Sequence, residues 1–261
     1  MILSLLMVLW MIVLFQIIKY LNLANILNMY KKKTIIAIIP ARSGSKRIKN
    51  KNRIIIENRP LIQWTFDSVK KSKLIDKIIL SSDDHIIKNM ALKNSIEVPF
   101  IRPEHLSKNT TTADEVIIHT IDWLKKNDEM IYDYIIYLQP TSPLRTWNDI
   151  DNSIKNIINS KSKSLISAGE MLHPLEWSFN LKKMQKLFSF NKIIKRSQDL
   201  DKSYFLNGAI YIACTKFFLI NKSFFSKKTL IFKMPFKRSI DIDNYVDLTL
   251  TKFFLKNRNK Y

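Results

Sequence analysis

The sequence predicts a three-layer α/β fold with a mainly parallel sheet, and three stretches carry that expectation. Ile35 to Ile39, Lys77 to Leu80 and Tyr134 to Leu138 are apolar runs rich in β-branched and aromatic residues. Runs without polar alternation suit strands covered on both faces, as in a parallel sheet. Each gives way to a polar loop: Pro40 to Lys46, Ser81-Ser82-Asp83-Asp84, and Gln139-Pro140-Thr141-Ser142-Pro143-Leu144-Arg145. Helical patterns lie between the runs, and strands alternating with helices are the mark of layered α/β proteins. Open α/β sheets hold ligands beyond the carboxyl ends of their strands, so these loops are the first candidates for a site.

Composition narrows the classes. The 261 residues suffice for one large domain, or a domain with a small appendage, and 46% hydrophobic content excludes a disordered chain. The formal net charge of +21 suits anionic small substrates, a membrane surface or nucleic acid. Lys, Ile and Asn are abundant throughout, so the excess reads as a compositional bias and no nucleic-acid partner is expected. The single Cys214 excludes an internal disulfide or a cysteine metal cluster, and its apolar surroundings suggest an inert thiol. His85, His105, His119 and His173 show no i, i+4 pairing for a metal.

Residues 1–18 carry no charge, with Ser4 and Gln16 as their polar side chains. Eighteen helical residues span about 27 Å, borderline for a bilayer. A basic segment before the apolar run and a small-residue cleavage site are both missing, which argues against a secretory signal. Two readings of residues 1–28 stand side by side. One is an anchor that leaves the basic remainder, from Lys19 and Lys31-Lys32-Lys33 onward, in the cytoplasm. The other is a mis-assigned start, with Met29 as the first residue of a cytoplasmic domain covering 29–261.

The loop after the first run holds one of only three glycines. Gly44 between Ser43 and Ser45 lets backbone N–H groups approach a ligand, while Arg42, Lys46 and Lys51 add positive charge. The loop contains neither G-x-x-x-x-G-K-[ST] nor G-x-G-x-x-G, so neither a P-loop NTPase nor a dinucleotide enzyme is indicated. The alternative is a surface turn with solvated lysines. Arg53 to Glu57 reads as a short strand, and Leu61, Ile62, Trp64, Phe66 and Val69 as the apolar face of a helix. Asp83 or Asp84 suits the N-cap of another. Thr110-Thr111-Thr112 caps a helix running through Val116 to Leu124. Pro140 and Pro143 brace the loop that presents Gln139, Thr141 and Ser142 at the sheet edge. Ser164 to Gly169 and Leu206 to Ile212 are further strands. In Ile240-Asp241-Ile242-Asp243 a strand would project both carboxylates to one face, where Mg2+ bound with substrate phosphates would relieve their repulsion. Asp247 opens a closing amphipathic helix, Val246 to Phe254.

Arg42 to Asn52, LQPTSPLR at 138–145, NGAIYI at 207–212 and IDID at 240–243 follow one another in an order that resembles the CMP-sialic acid synthetase (acylneuraminate cytidylyltransferase) family. The resemblance covers nearly the whole chain beyond residue 35. It implies a nucleotide-diphospho-sugar transferase-like (Rossmann-like) fold and a homodimer with a small dimerisation arm around 170–200. The implied reaction passes CMP from CTP to the anomeric hydroxyl of an acidic nine-carbon sugar, N-acetylneuraminate first, with Mg2+ as cofactor. By resemblance, Ala41, Arg42, Ser43, Gly44, Ser45, Lys46, Lys51, Asn52, Ser82, Asp83 and Arg102 meet the nucleotide. Gln139, Thr141, Ser142, Arg196, Gln198, Asn207, Tyr211, Phe224 and Phe225 meet the sugar. Asp241 and Asp243 hold the metal, and Arg42, Lys51 and Asp241 serve the transfer itself. Core packing explains Tyr211, Phe224 and Phe225 as well.

The departures gather at the sugar end. Asn58-Arg59 replaces a glycine and Asn109 an aspartate, while Glu176, Ser197 and Phe205 stand where family members carry basic residues, with Arg196 adjacent as a substitute. A legionaminate, pseudaminate or Kdo enzyme is the near alternative. A membrane-anchored basic protein binding RNA or lipid is the distant one.

Overall fold

The computed structural model describes residues 30–127, 131–178 and 195–258. The leader at 1–28 and much of the proposed arm, 179–194, lie outside the described residues. Among those described, no helix is long and apolar enough to cross a membrane.

Six strands form one sheet in the order β4-β1-β5-β7-β6-β8. They are β1 (Ile35–Pro40), β4 (Lys77–Ser81), β5 (Tyr134–Tyr137), β6 (Ser164–Glu170), β7 (Tyr204–Cys214) and β8 (Leu230–Met234). β1 runs parallel to β4 and β5, and β6 parallel to β8, while β7 is antiparallel to both its neighbours. The mainly parallel sheet expected from the apolar runs is present, with one reversed strand. The chain leaves β1 for β4 on one side and returns to β5 on the other. A crevice therefore opens beyond the carboxyl ends of β1 and β5.

The helices cover both faces. Ile35, Ala37 and Ile39 pack with Phe66 of α1 (Leu61–Lys71), Ile87 of α2 (His85–Lys93) and Ile154 of α4 (Trp147–Asn159). Ile36 and Ile38 point the opposite way, toward Ile117 and Ile121 of α3 (Ala113–Asn127) and Phe218 of α5 (Thr215–Asn221). Successive strand side chains alternate, so a run apolar at every position needs cover on both sides. A third cluster unites Ile48, Leu144, Ile240 and Ile242 with Leu248 and Leu255 of α6 (Tyr245–Lys256).

Local chemistry sets the element ends. Asp84, rather than Asp83, caps α2 by accepting from the amides of Ile86 and Ile87. Thr112 and Glu115 exchange hydrogen bonds at the start of α3, and Thr146 with Asp149 makes a capping box for α4. The short strand read at Arg53 to Glu57 contracts to β2 (Ile55–Ile56), paired with β3 (Arg59–Pro60) through a turn in which Glu57 and Asn58 have φ of 47° and 62°. Asn tolerates that left-handed backbone better than most residues, so Asn58 serves at a position where glycine would be usual.

One irregularity shapes the site. The β6–β7 register shifts between Ile166 and Ala168, whose partners are Tyr211 and Leu206, so residues 207–210 bulge from β7. Asn207 Oδ1 accepts from Ser167 Oγ and the Ala209 amide, while Ser167 Oγ accepts from the Ile210 amide. Gly208 takes φ of 68° at the apex. Beside the bulge, a Cβ on Gly169 would lie 2.6 Å from Ser239 Cβ and 2.8 Å from the Phe205 ring. Gly169→Ala is therefore expected to destabilise by about 1–3 kcal/mol through overpacking. A calorimetric Tm several degrees lower checks it, and an unchanged Tm would show that the strands there can part.

Candidate active site

A cleft of about 520 Å³ sits at the crevice beyond β1 and β5. Its walls bring together Arg42, Ser45, Lys46, Lys51 and Asn52 from the first loop, Arg102, Gln139 and Thr141 from the next segments, and Asp241 and Asp243. Residues as far apart in sequence as Arg42 and Asp243 thus meet in one place. Arg47, Lys108 and Tyr137, which the sequence did not single out, also line it. The wall carries six cationic side chains against two carboxylates, a balance suited to a polyanion.

Ties at its base and flanks hold the first loop. Asp83 accepts from the Ser43 amide at 2.8 Å and from its hydroxyl. Ser82 Oγ donates to Ala41 O and accepts from the Asp84 amide. Asn52 donates to Arg42 O at 3.1 Å, and Arg42 Nη1 to Lys108 O at 2.9 Å. Ala41, Ser43, Ser82 and Asp83 therefore shape the loop and do not line the cleft wall. Gly44 is also off the wall; its φ is not left-handed and a Cβ there would meet nothing within 4 Å, so the fold itself does not demand glycine. Arg102 is buried, with Nε on Ser81 Oγ at 3.0 Å and Nη2 on Ser81 O. Burial lowers its pKa from the usual arginine value.

The carboxylates lie not on a strand but in an irregular segment, secured by the Ile242 amide donating to Thr141 O at 2.8 Å. That corrects the same-face argument while keeping both groups in the cleft. Asp243 lies 3.1 Å from Arg47 and 3.3 Å from Lys51. Asp241 is deeper, and its Oδ1 has no hydrogen-bond partner. Burial pushes its carboxyl above the usual range; a Thr141 hydrogen bond opposes this and Asp243 adds to it. A Cβ on Gly208 would come 3.2 Å from Gln139 Oε1 and 3.6 Å from Asp241 Oδ2, so the β7 bulge, the β5 loop and the acidic segment converge here.

Several residues expected at the sugar lie off the cleft wall. Ser142 is fully buried in the turn behind Gln139. Asn207 is spent on Ser167, Ser239 and the bulge backbone. Phe224 is core, 4.8 Å from Phe218 and 5.4 Å from Tyr211 between ring centroids. Phe225 is about half exposed and touches Tyr211 edge-on, while Arg196 pairs with Asp199 and, with Gln198, stands apart from the cleft walls. Tyr211 is partly buried, not a wall residue.

Sequence reasoning also passed over Arg145. The guanidinium is fully buried and reaches Gln139 O at 3.1 Å, Ala209 O at 2.7 Å and Thr65 Oγ1 at 3.0 Å. Its pKa is brought down to about 10, chiefly by burial. A basic residue ending an otherwise apolar, proline-braced loop was the available signal.

Comparison with known proteins agrees with this geometry. The family model described as cytidylyltransferase matches residues 36–258. A pseudaminic acid cytidylyltransferase of Campylobacter jejuni is 34% identical over 85% of this chain and 96% of its own. A CMP-N,N'-diacetyllegionaminic acid synthase of Legionella pneumophila is 35% identical over 84% and 94%. An N-acylneuraminate cytidylyltransferase of Escherichia coli is 32% identical over 87% of this chain but 54% of its own length. Among solved structures, a CMP:2-keto-3-deoxy-manno-octonic acid synthetase complexed with CTP aligns with TM-score 0.60 at 12% identity, over 86% and 99% of the chains, a likeness of fold. The chain belongs to the cytidylyltransferase family, among the members that activate acidic sugars.

Proposed function

We propose that this protein transfers CMP from CTP to the anomeric hydroxyl of pseudaminate or a closely related diacylated nine-carbon sugar acid. The observation that carries the reaction is one cleft with a cationic rim and a buried, unpartnered carboxylate oxygen at its base. N-acetylneuraminate was the first expectation from sequence. The relatives named for pseudaminic and legionaminic acids align along nearly their whole length, whereas the N-acylneuraminate enzyme aligns over about half of its own. That difference moves the preferred sugar. It also accords with Phe205, a position of expected positive charge, packing against Gly169.

In the transfer the sugar oxygen forms a bond to the α-phosphorus while the bond to the β-phosphate oxygen breaks and pyrophosphate leaves. Phosphoryl transfer needs charge neutralisation and in-line placement more than covalent chemistry. Arg42, Lys46 and Lys51 are positioned to balance the triphosphate. Arg47 shares Asp243 with Lys51, which presets both cations before substrate enters. Gln139 and Thr141 offer polar groups beside the same floor.

The residues fit a magnesium ion. Among the described residues no group of three or more His, Cys, Asp or Glu forms a metal cage. The ion would rely on the free Oδ1 of Asp241, on Asp243 and on phosphate oxygens of the substrate, the mixed ligand set Mg2+ favours. When bound it would offset phosphate charge and lower the pKa of the attacking hydroxyl. A homodimer completed by the 170–200 arm belongs to the same reading.

Pyrophosphate release with CTP and a panel of pseudaminate, legionaminate, N-acetylneuraminate and Kdo tests the assignment. Release is expected with a diacylated nine-carbon acid and CTP, but not with UTP or ATP. Preference for N-acetylneuraminate would reverse the sugar assignment, and failure to bind CTP would refute the reaction. Asp241→Asn is expected to reduce Mg2+-dependent turnover by at least 100-fold, on the order of 3 kcal/mol of barrier. Wild-type turnover in that variant would remove the metal role.

A further inference from the structure

A second cavity, of about 450 Å³, lies on the other side of the Gln139–Arg145 loop from the cleft. Gln139 and Thr141 face the cleft, whereas Leu144 and Arg145 line the second cavity. Its remaining wall comes from α1 and the residues just before it, the start of α4, the turn at 237–238 and the end of α6. Arg238, one of six cationic residues that line it, is paired with Asp149, and the wall's single carboxylate is Asp67. That carboxylate is taken by Arg59 at 2.8 Å. Arg59 and Arg258 both lie over the Trp64 ring, at 5.3 and 4.9 Å from its centroid. Two guanidiniums held on one indole repel each other, and Arg258 is driven below the usual arginine pKa by burial and then by Arg59. Fully buried Arg145 adds an Nε with no hydrogen-bond partner. The amino end of α4 faces the same space, with Asp149 of its capping box already offsetting the helix dipole.

This arrangement has the parts of an anion site. Planar guanidiniums fixed by an aromatic ring match phosphate oxygens in paired hydrogen bonds. The Trp64 ring is already covered by arginines, so the site suits the phosphate groups of a ligand better than a stacked base. We propose that the second cavity binds a multiply charged phosphate anion, and that its occupancy reaches the cleft through Arg145. The path is short, because Arg145 holds Gln139 O and Ala209 O, which fix the β5 loop and the β7 bulge at the cleft floor. The anion site stands on the cavity and does not require the sugar assignment, while its coupling to the cleft rests on the proposed CTP binding.

Calorimetric titration of the full chain with tripolyphosphate, in saturating CTP to occupy the cleft, tests it. One anion per chain is expected to bind. Arg59→Glu with Arg258→Glu is expected to weaken that binding at least tenfold while leaving the Kd for CTP within twofold. Lys71→Glu with Lys237→Glu provides a second variant if the first fails to fold. Flotation with phosphatidylglycerol vesicles against phosphatidylcholine vesicles separates the sources. Vesicle binding lost in the variants, without tripolyphosphate binding, would assign the cavity to singly charged lipid headgroups and overturn the multiply charged ligand. Binding of neither anion, or binding unchanged in both variants, would overturn it. The link to the cleft predicts that tripolyphosphate shifts the Kd for CTP at least threefold more in the parent chain than in the variants. Equal shifts would overturn the coupling.

Discussion

A buried guanidinium with no carboxylate in hydrogen-bond contact is the constraint on which the cleft depends. Removing Arg145 from water costs several kcal/mol, and only well-made hydrogen bonds offset such a cost. Gln139 O, Ala209 O and Thr65 Oγ1 supply them, from the loop after β5, the bulge in β7 and helix α1. These three elements are far apart in sequence, and Arg145 ties α1 to the already hydrogen-bonded β5–β7 pair. With Arg145 between them, the backbone at Gln139 and the bulge at Gly208 are held in register, and the floor beside Asp241 is set before any ligand arrives. Asp149, the nearest acid acting on Arg145, is itself engaged by Arg238 through a forked pair. Its field reaches Arg145 without supplying a direct partner.

The electrostatics of the cleft follow from unequal pairing. Asp243 is already shared by Arg47 and Lys51, whereas Asp241 Oδ1 is buried and unpaired. A buried acceptor left without a donor is costly and uncommon. It is tolerated here where the proposed reaction brings a cation and a phosphate chain. The cationic loop above is kept in place by neutral and acidic braces beneath it, Ser82, Asp83 and Asn52. Its charges are thereby presented outward at little cost in mobility.

Much of this was legible in the sequence, and the limits have physical causes. The apolar runs at 35–39, 77–80 and 134–138 announced β1, β4 and β5 because continuous burial leaves no other pattern. β8 was missed, since Leu230 to Met234 includes Lys233 and half-exposed positions, as an edge strand can. Helix α4 was passed over although its apolar positions repeat at helical spacing. At the site, the residues that join the cleft were found where charge made them conspicuous: Arg42, Lys46, Lys51, Asp241 and Asp243. Asn207, expected at the sugar by resemblance, is instead bonded within the β7 bulge, and a sequence does not show a bulge. Ser142 and Phe224 are buried, and a sequence shows which side chains are near the sheet edge but not which of them fold inward. Arg145 looked like one more basic residue in a chain full of them.

Arg145 braces the cleft floor, and one substitution isolates that role. Lysine keeps the charge but cannot span three acceptors with one rigid fork. In Arg145→Lys, steady-state kinetics of pyrophosphate release should show kcat/KM for CTP reduced at least tenfold, with circular dichroism confirming a folded chain. Parent kinetics in a folded Arg145→Lys protein would contradict the account, because the floor would then be set by packing alone.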